Sequence, residues 1–112
     1  MTETSEIVVT GLGVVCPIGI GIDEYWQSLR AGTSGVGSYD LLQGTEMPVQ
    51  FGGVIKDFEP KQYVKPRKSL KVMCKVIQEG FAAAALAVEN AGIEDGSIDP
   101  NRFGVVFGSE ML

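Results

Sequence analysis

Between Pro66 and Ala91 the chain carries a helical pattern that a small protein has difficulty burying. Leu70, Met73, Ile77, Phe81, Ala84, Val88 and Ala91 follow one another at intervals of 3, 4, 4, 3, 4 and 3 residues, the spacing of one helix face. Pro66 suits a first turn and Gly92 a C-terminal stop. The pattern therefore predicts one helix over 66–91, roughly 40 Å long at about 1.5 Å per residue. Gly80 is its weak point, costing roughly 1 kcal/mol against alanine. The first half is amphipathic, with Lys68, Lys71 and Lys75 opposite Leu70, Met73 and Ile77. The second half, residues 81–88, is apolar or small on every side. Such a helix is normally enclosed by protein, yet 112 residues supply one modest core and not two.

The flanking segments point to an α/β fold. Glu6-Ile7-Val8-Val9-Thr10 and Phe103-Gly104-Val105-Val106-Phe107 are β-branched or aromatic runs that read as buried strands. Residues 11–21 hold four glycines and a proline, the composition of a tightly turned loop. A short helix is expected from about Asp23 to Arg30, with acids in its first turn, Arg30 at its end and Gly32 as a stop. Ile22, Trp26 and Leu29 share one of its faces. The stretch from Ala31 to Pro66 has no sustained period, and residues 50–58 are its best strand candidate. Strand, helix, helix, strand gives the α/β class. Nothing after Phe107 closes a core or covers an edge strand, so the end reads as a truncation.

Charge and residue inventory exclude several functions. The net charge is −5, but seven of the nine basic residues lie between Lys56 and Lys75, and Lys61 to Lys75 holds six bases and no acid. An acidic chain with one basic segment is a poor general nucleic-acid binder and suits a local contact with one anionic partner. The chain contains no histidine, which rules out a Ser-His or Cys-His pair built from it alone. Cys16 and Cys74 stand far apart in no metal-ligand spacing and read as free thiols. No apolar run approaches the roughly 20 residues of a membrane span, and the acidic start is unlike a signal peptide. A cytoplasmic protein is expected.

Gly11-x-Gly13-x-x-Cys16 after a strand invites comparison with a dinucleotide-binding turn. The match fails at its third position, at Pro17 where a helix should be running, and at the missing acidic residue about 20 positions on. A tight turn after a buried strand is the simpler reading. Cys16 and Cys74 lack a base to activate them and read as packing or surface residues. The basic face at Lys68, Lys71 and Lys75, with Lys65 and Arg67 beside it, is either a solvated helix face or a grip for phosphates or an acidic protein helix.

Five motifs in order resemble one family. Residues 7–19, Ile7-Val8-Val9-Thr10-Gly11-Leu12-Gly13-Val14-Val15-Cys16-Pro17-Ile18-Gly19, resemble the opening strand and loop of the elongating β-ketoacyl-acyl-carrier-protein synthases, where serine is usual at the Cys16 position. Tyr25-Trp26-x-x-Leu29-x-Ala31-Gly32-x-Ser34-Gly35 looks like that family's first helix and "AGxSG" turn. Residues 51–58 resemble its "FAGEVKDF" segment, residues 82–92 its alanine-rich helix, and residues 102–109 the strand ending in "GS".

The resemblance implies part of a thiolase-like fold, namely the N-terminal part of its first half, with strands flanking a long buried helix. Residues 1–112 are then the N-terminal part of a β-ketoacyl synthase domain, cut before its catalytic residues. The implied reaction is decarboxylative condensation of an acyl thioester with malonyl carrier protein, in fatty-acid or polyketide synthesis, on an active homodimer or ketosynthase heterodimer. It calls for no cofactor and no metal. The family's nucleophilic cysteine and two histidines fall beyond Leu112, so this chain alone is expected to be inert. The resemblance also implies that Arg67, Lys68 and Lys71 dock the acidic acyl carrier protein. It places Met111 at the dimer interface lining the acyl pocket, although Glu110 stands where the family commonly has glycine. Two other readings are a non-catalytic partner of the chain-length-factor type and a nucleotide-binding α/β module. With its apolar helix uncovered, the isolated chain is expected to be poorly stable, to aggregate or to self-associate.

Overall fold

The computed structural model describes residues 4–110. The chain forms a tight hairpin of β1 (Val15–Cys16) and β2 (Gly19–Ile20), a helix α1 (Ile22–Ala31), a second hairpin of β3 (Val36–Ser38) and β4 (Phe51–Gly53), and a helix α2 (Lys75–Asn90). Both hairpins are antiparallel, with Val15 opposite Ile20 in the first and Gly37 opposite Gly52 in the second. Short 3₁₀ turns at Asp40–Leu42, Pro60–Gln62, Ser69–Val72 and Pro100–Arg102 join these elements. Among the described residues no helix is long and apolar enough to cross a membrane.

α1 forms where its local signals place it. Asp23 and Glu24 occupy the first turn and Arg30 the last, complementing the helix dipole. Gly32 adopts the left-handed conformation, and Thr33 N donates to Ser28 O at 2.9 Å, which satisfies two orphan carbonyls together with the Gly32 N–H. α1 is tied back to the first hairpin by side chains. Ser28 Oγ donates to Ile18 O at 2.6 Å, and Glu24 Oε2 accepts from Ile20 N at 2.9 Å.

α2 is shorter than the spacing predicts. It runs for 16 residues from Lys75, roughly 24 Å, and residues 66–74 are not part of it. Ser69–Val72 is a 3₁₀ turn, after which Met73 and Cys74 are extended. A three-residue interval fits a 3₁₀ turn as well as an α-helix, so Leu70 and Met73 continue the apolar stripe across a break in the helix. Nor is α2 enclosed within this chain. Ala82 is its one buried residue, while Val76, Ile77 and Phe81 remain nearly half exposed.

The extended segment 11–14 passes over α2 with its backbone in contact with the helix backbone. A Cβ built on Gly13 would lie 2.5 Å from Ala87 N, and one on Gly11 would lie 2.6 Å from Ala91 Cβ. Real Cβ atoms do not come that close. Ala83, Ala87 and Ala91 are spaced four apart, one above the other on a single helix face. Small residues on both sides thus permit an approach that any larger side chain would block. Leu12 N donates to Asn90 Oδ1 at 3.0 Å and pins the segment at the end of the helix. Further toward the N-terminus of α2, the Phe107 ring lies directly against Gly80 and occupies the space of the missing Cβ. The glycine that weakens α2 is therefore a packing site.

The two runs expected as buried strands are not strands here. Neither 6–10 nor 103–107 pairs with another segment among the described residues, and Ile7 and Val106 are 94% and 101% exposed. A β-run becomes a strand only when a neighbour supplies the ladder. The chain exposes 9582 Å², against roughly 5,900 Å² for a compact protein of its mass, and its radius of gyration is 17.8 Å against roughly 13 Å. Among the described residues the buried hydrophobic core consists of Val64 and Ala82.

If the glycine–alanine contact holds the fold, Gly13→Ala should lower stability by about 1–3 kcal/mol. Gly37→Ala, whose added Cβ meets nothing within 4 Å, should be close to neutral. Urea midpoints followed by far-ultraviolet circular dichroism in dilute solution compare the two, and equal effects would contradict the assignment.

Candidate functional site

Of the predicted site residues, Met111, expected at the acyl pocket and dimer interface, lies outside the described residues. The other three, Arg67, Lys68 and Lys71, are exposed and close in sequence, but they sit on a 3₁₀ turn and its approach instead of on a helix. The geometry changes which residues belong together. With three residues per turn, side chains three apart eclipse one another, so Lys68 and Lys71 share one side. Ser69 and Val72 share the second. Leu70 and Met73 share the third, and both are partly buried.

The turn is held from both ends. Leu70 O accepts from Met73 N at 3.4 Å, and Pro66 O accepts from Ser69 N at 2.8 Å. The Gln78 side chain reaches back from the second turn of α2, and its Nε2 donates to Met73 O at 2.8 Å. Gln78, which the sequence pattern does not single out, is a positioning residue. A glutamine in the first turns of a helix, able to bond the chain just before it, is the signal that marks it.

Lys75, grouped with Lys68 and Lys71 by helical spacing, belongs elsewhere. Its Nζ lies 3.6 Å from Glu79 Oε1, an i,i+4 pair. That oxygen is buried and has no hydrogen-bond partner among the described residues, so Lys75 is committed to neutralising it. Lys61 Nζ lies 4.0 Å from Glu59. The four bases between these two, Lys65, Arg67, Lys68 and Lys71, have no carboxylate within 4.0 Å among the described residues. The basic segment therefore consists of two end residues that are internally paired and a middle that is not. Four like charges without partners raise the local potential and draw an anionic surface in proportion to low ionic strength.

The glycine loop is closed to a dinucleotide. The faces of Gly11 and Gly13 that would have to meet a pyrophosphate are occupied by the backbone of α2, and the next element after Gly13 is the β1–β2 hairpin. Cys16 lies in that hairpin, and its thiol donates to Gly19 O across the turn at 3.4 Å. A cleft of about 350 Å³ beside it is lined by Glu24, Lys56, Asp57 and Tyr63, among others. Both cysteines are free, and Cys74 is exposed ahead of α2. Glu110, beside Met111, lines a separate groove with Glu79, Gly80 and Phe107.

This arrangement of segments is shared with known proteins. The family profile described as "Beta-ketoacyl synthase, N-terminal domain" matches residues 4–112. The chain is 35% identical over 104 residues to a 3-oxoacyl-[acyl-carrier-protein] synthase 2 of Vibrio cholerae, covering 93% of this chain and 25% of that protein. It is 33% identical over 106 residues to the tetracenomycin polyketide synthase ketoacyl synthase beta subunit of Streptomyces glaucescens, covering 95% and 26%. Among solved structures, the ishigamide ketosynthase/chain length factor superposes with a TM-score of 0.68 at 33% identity, over 79% of this chain and 22% of that one. The chain thus spans about a quarter of the length of these relatives. The chain therefore belongs to the β-ketoacyl synthases and carries the fold of their N-terminal domain.

Proposed function

We propose that residues 1–112 are the N-terminal part of a ketosynthase domain whose cysteine nucleophile and two histidines are supplied by sequence beyond Leu112. The whole protein joins an acyl thioester to a malonyl thioester with loss of CO₂, in the cytoplasm, as a homodimer or ketosynthase heterodimer. The role of this part is to receive the acyl carrier protein. Arg67, Lys68 and Lys71 form the docking site, and Met111 lines the acyl pocket at the dimer interface. The observation that carries the docking assignment is the unneutralised middle of the basic segment. Four cations between Lys65 and Lys71 with no carboxylate within 4.0 Å among the described residues are poorly placed for a role inside a protein, and they match the acidic surface of a carrier protein in sign.

A second reading, a non-catalytic subunit of the chain-length-factor type, draws support from the relatives named as a beta subunit and as a ketosynthase/chain length factor. The coding frame beyond Leu112 separates the two. A cysteine followed by two histidines at the family's positions fits the condensing enzyme, and a frame lacking the cysteine fits the non-catalytic subunit.

Docking is tested by titrating the full-length protein that contains residues 1–112 with a fluorescently labelled holo acyl carrier protein of the fatty-acid type at low ionic strength and again at about 0.2 M salt. Binding should weaken with salt, and the double reversal Lys68→Glu with Lys71→Glu should weaken it by about tenfold or more. Arg102→Glu, a single reversal away from the turn, should leave it within about twofold. Loss of binding in all variants alike, or indifference to salt, would contradict the assignment.

A further inference from the structure

α2 carries alanine at positions 82–85 and 87 but glycine at 80. Glycine inside a helix costs roughly 1 kcal/mol against alanine, and at this position even a methyl group is excluded. The Phe107 ring takes the place of the missing Cβ, which would touch Cζ and stand 3.0 Å from Cε1. Beyond the ring the chain stands off from the helix. A groove of about 520 Å³ separates Val76, Glu79 and Ala83 of α2 from Gly108, Ser109 and Glu110. No hydrogen bond joins residues 104–110 to another element among the described residues. The height of segment 107–110 above α2 is thus set by how deeply one ring sits in one notch.

We propose that Gly80 and Phe107 form a positioning pair for the acyl pocket, in which the depth of the ring in the α2 notch sets the pocket wall and with it the preferred acyl-chain length. The proposal rests on the reading above that Met111 lines that pocket, and it adds the contact that places the wall. Met111 follows Phe107 by four residues, at most about 14 Å of chain, and packed interiors transmit a displacement over such a distance. A pocket for a hydrocarbon chain discriminates by size, and one methylene in it is worth about 10–200-fold in specificity. Bulk added at position 80 lifts the segment off α2, whereas bulk removed at position 107 lets it settle closer. The two changes therefore move the wall in opposite directions.

The test measures kcat/KM of the full-length protein that contains residues 1–112, assembled as its active dimer, for a short-chain and a long-chain saturated acyl thioester. Gly80→Ala and Phe107→Leu should each change the ratio of the two by about fivefold or more, with opposite sign. The double variant, in which the added methyl takes up room given up by the ring, should return to within about twofold of the parent. A role confined to stability would lower both activities together and leave the ratio unchanged. If Gly80→Ala fails to fold, Phe107→Leu alone decides. A parental ratio in Phe107→Leu, or shifts of the same sign in both single variants, overturns the positioning pair. Met111→Ala tests the reading beneath it. If Met111→Ala changes the ratio and the pair does not, the pocket reading stands and the proposal falls. If Met111→Ala leaves the ratio unchanged, the pocket reading falls and the pair with it.

Discussion

The backbone of residues 11–13 lies against the backbone of α2 with no side chain between them, and the remaining elements are attached to that contact in series. The segment leads directly into the β1–β2 hairpin. The hairpin holds α1 through Ser28 and Glu24, and its Pro17 packs onto Gly35 and Gly53, within 2.7 Å and 2.9 Å of where their Cβ atoms would stand. On α2 itself, Phe107 fills the space over Gly80. The close approaches fall at Gly11, Gly13, Gly35, Gly53 and Gly80, each a residue without a side chain where another backbone, ring or side chain comes close. Backbone-to-backbone packing buries little apolar area per residue but tolerates almost no substitution. That is why such a sparse core, Val64 and Ala82, accompanies so specific a pattern of glycines and alanines.

How far the sequence could be read depended on whether the determining interaction was local. α1 was legible to within a residue or two because its signals, acids first and glycine last, act within one helix. The long-helix expectation over 66–91 failed because spacings of three are common to 3₁₀ and α geometry. A counter-signal was present: the long helix would have put Arg67, Lys68 and Lys71 into its opening turns, against the dipole. The observed α2 begins at Lys75 and leaves the cations before it. Residues 6–10 and 103–107 have strand composition, but strand formation is a property of pairs. The candidate strand at 50–58 succeeded in part, as β4, because β3 is there to meet it.

The basic segment keeps an unpaired middle without the long helix, for a reason the spacing did not contain. Whether a lysine is available to a partner depends on which carboxylates reach it, and that is set by three-dimensional placement. Lys75 and Lys61 lie near Glu79 and Glu59, while among the described residues no carboxylate lies within 4.0 Å of Arg67, Lys68 or Lys71. The 3₁₀ turn then concentrates Lys68 and Lys71 on one side and turns Leu70 and Met73 inward, and Gln78 fixes it to α2. Chain geometry thus converts a diffuse basic stretch into a small patch with a defined orientation.

A contact that pins one face of α2 leaves Val76, Ile77 and Phe81 nearly half exposed and both extended runs without a strand partner among the described residues. The exposed area exceeds that of a compact chain of this mass by roughly 3,600 Å², the scale of an obligate interface. Sedimentation velocity of the 112-residue chain across a concentration series tests this central claim most directly. Association that grows with concentration, or aggregation, is the predicted result. A single monomeric boundary at all concentrations, from a chain that also unfolds cooperatively, would contradict it.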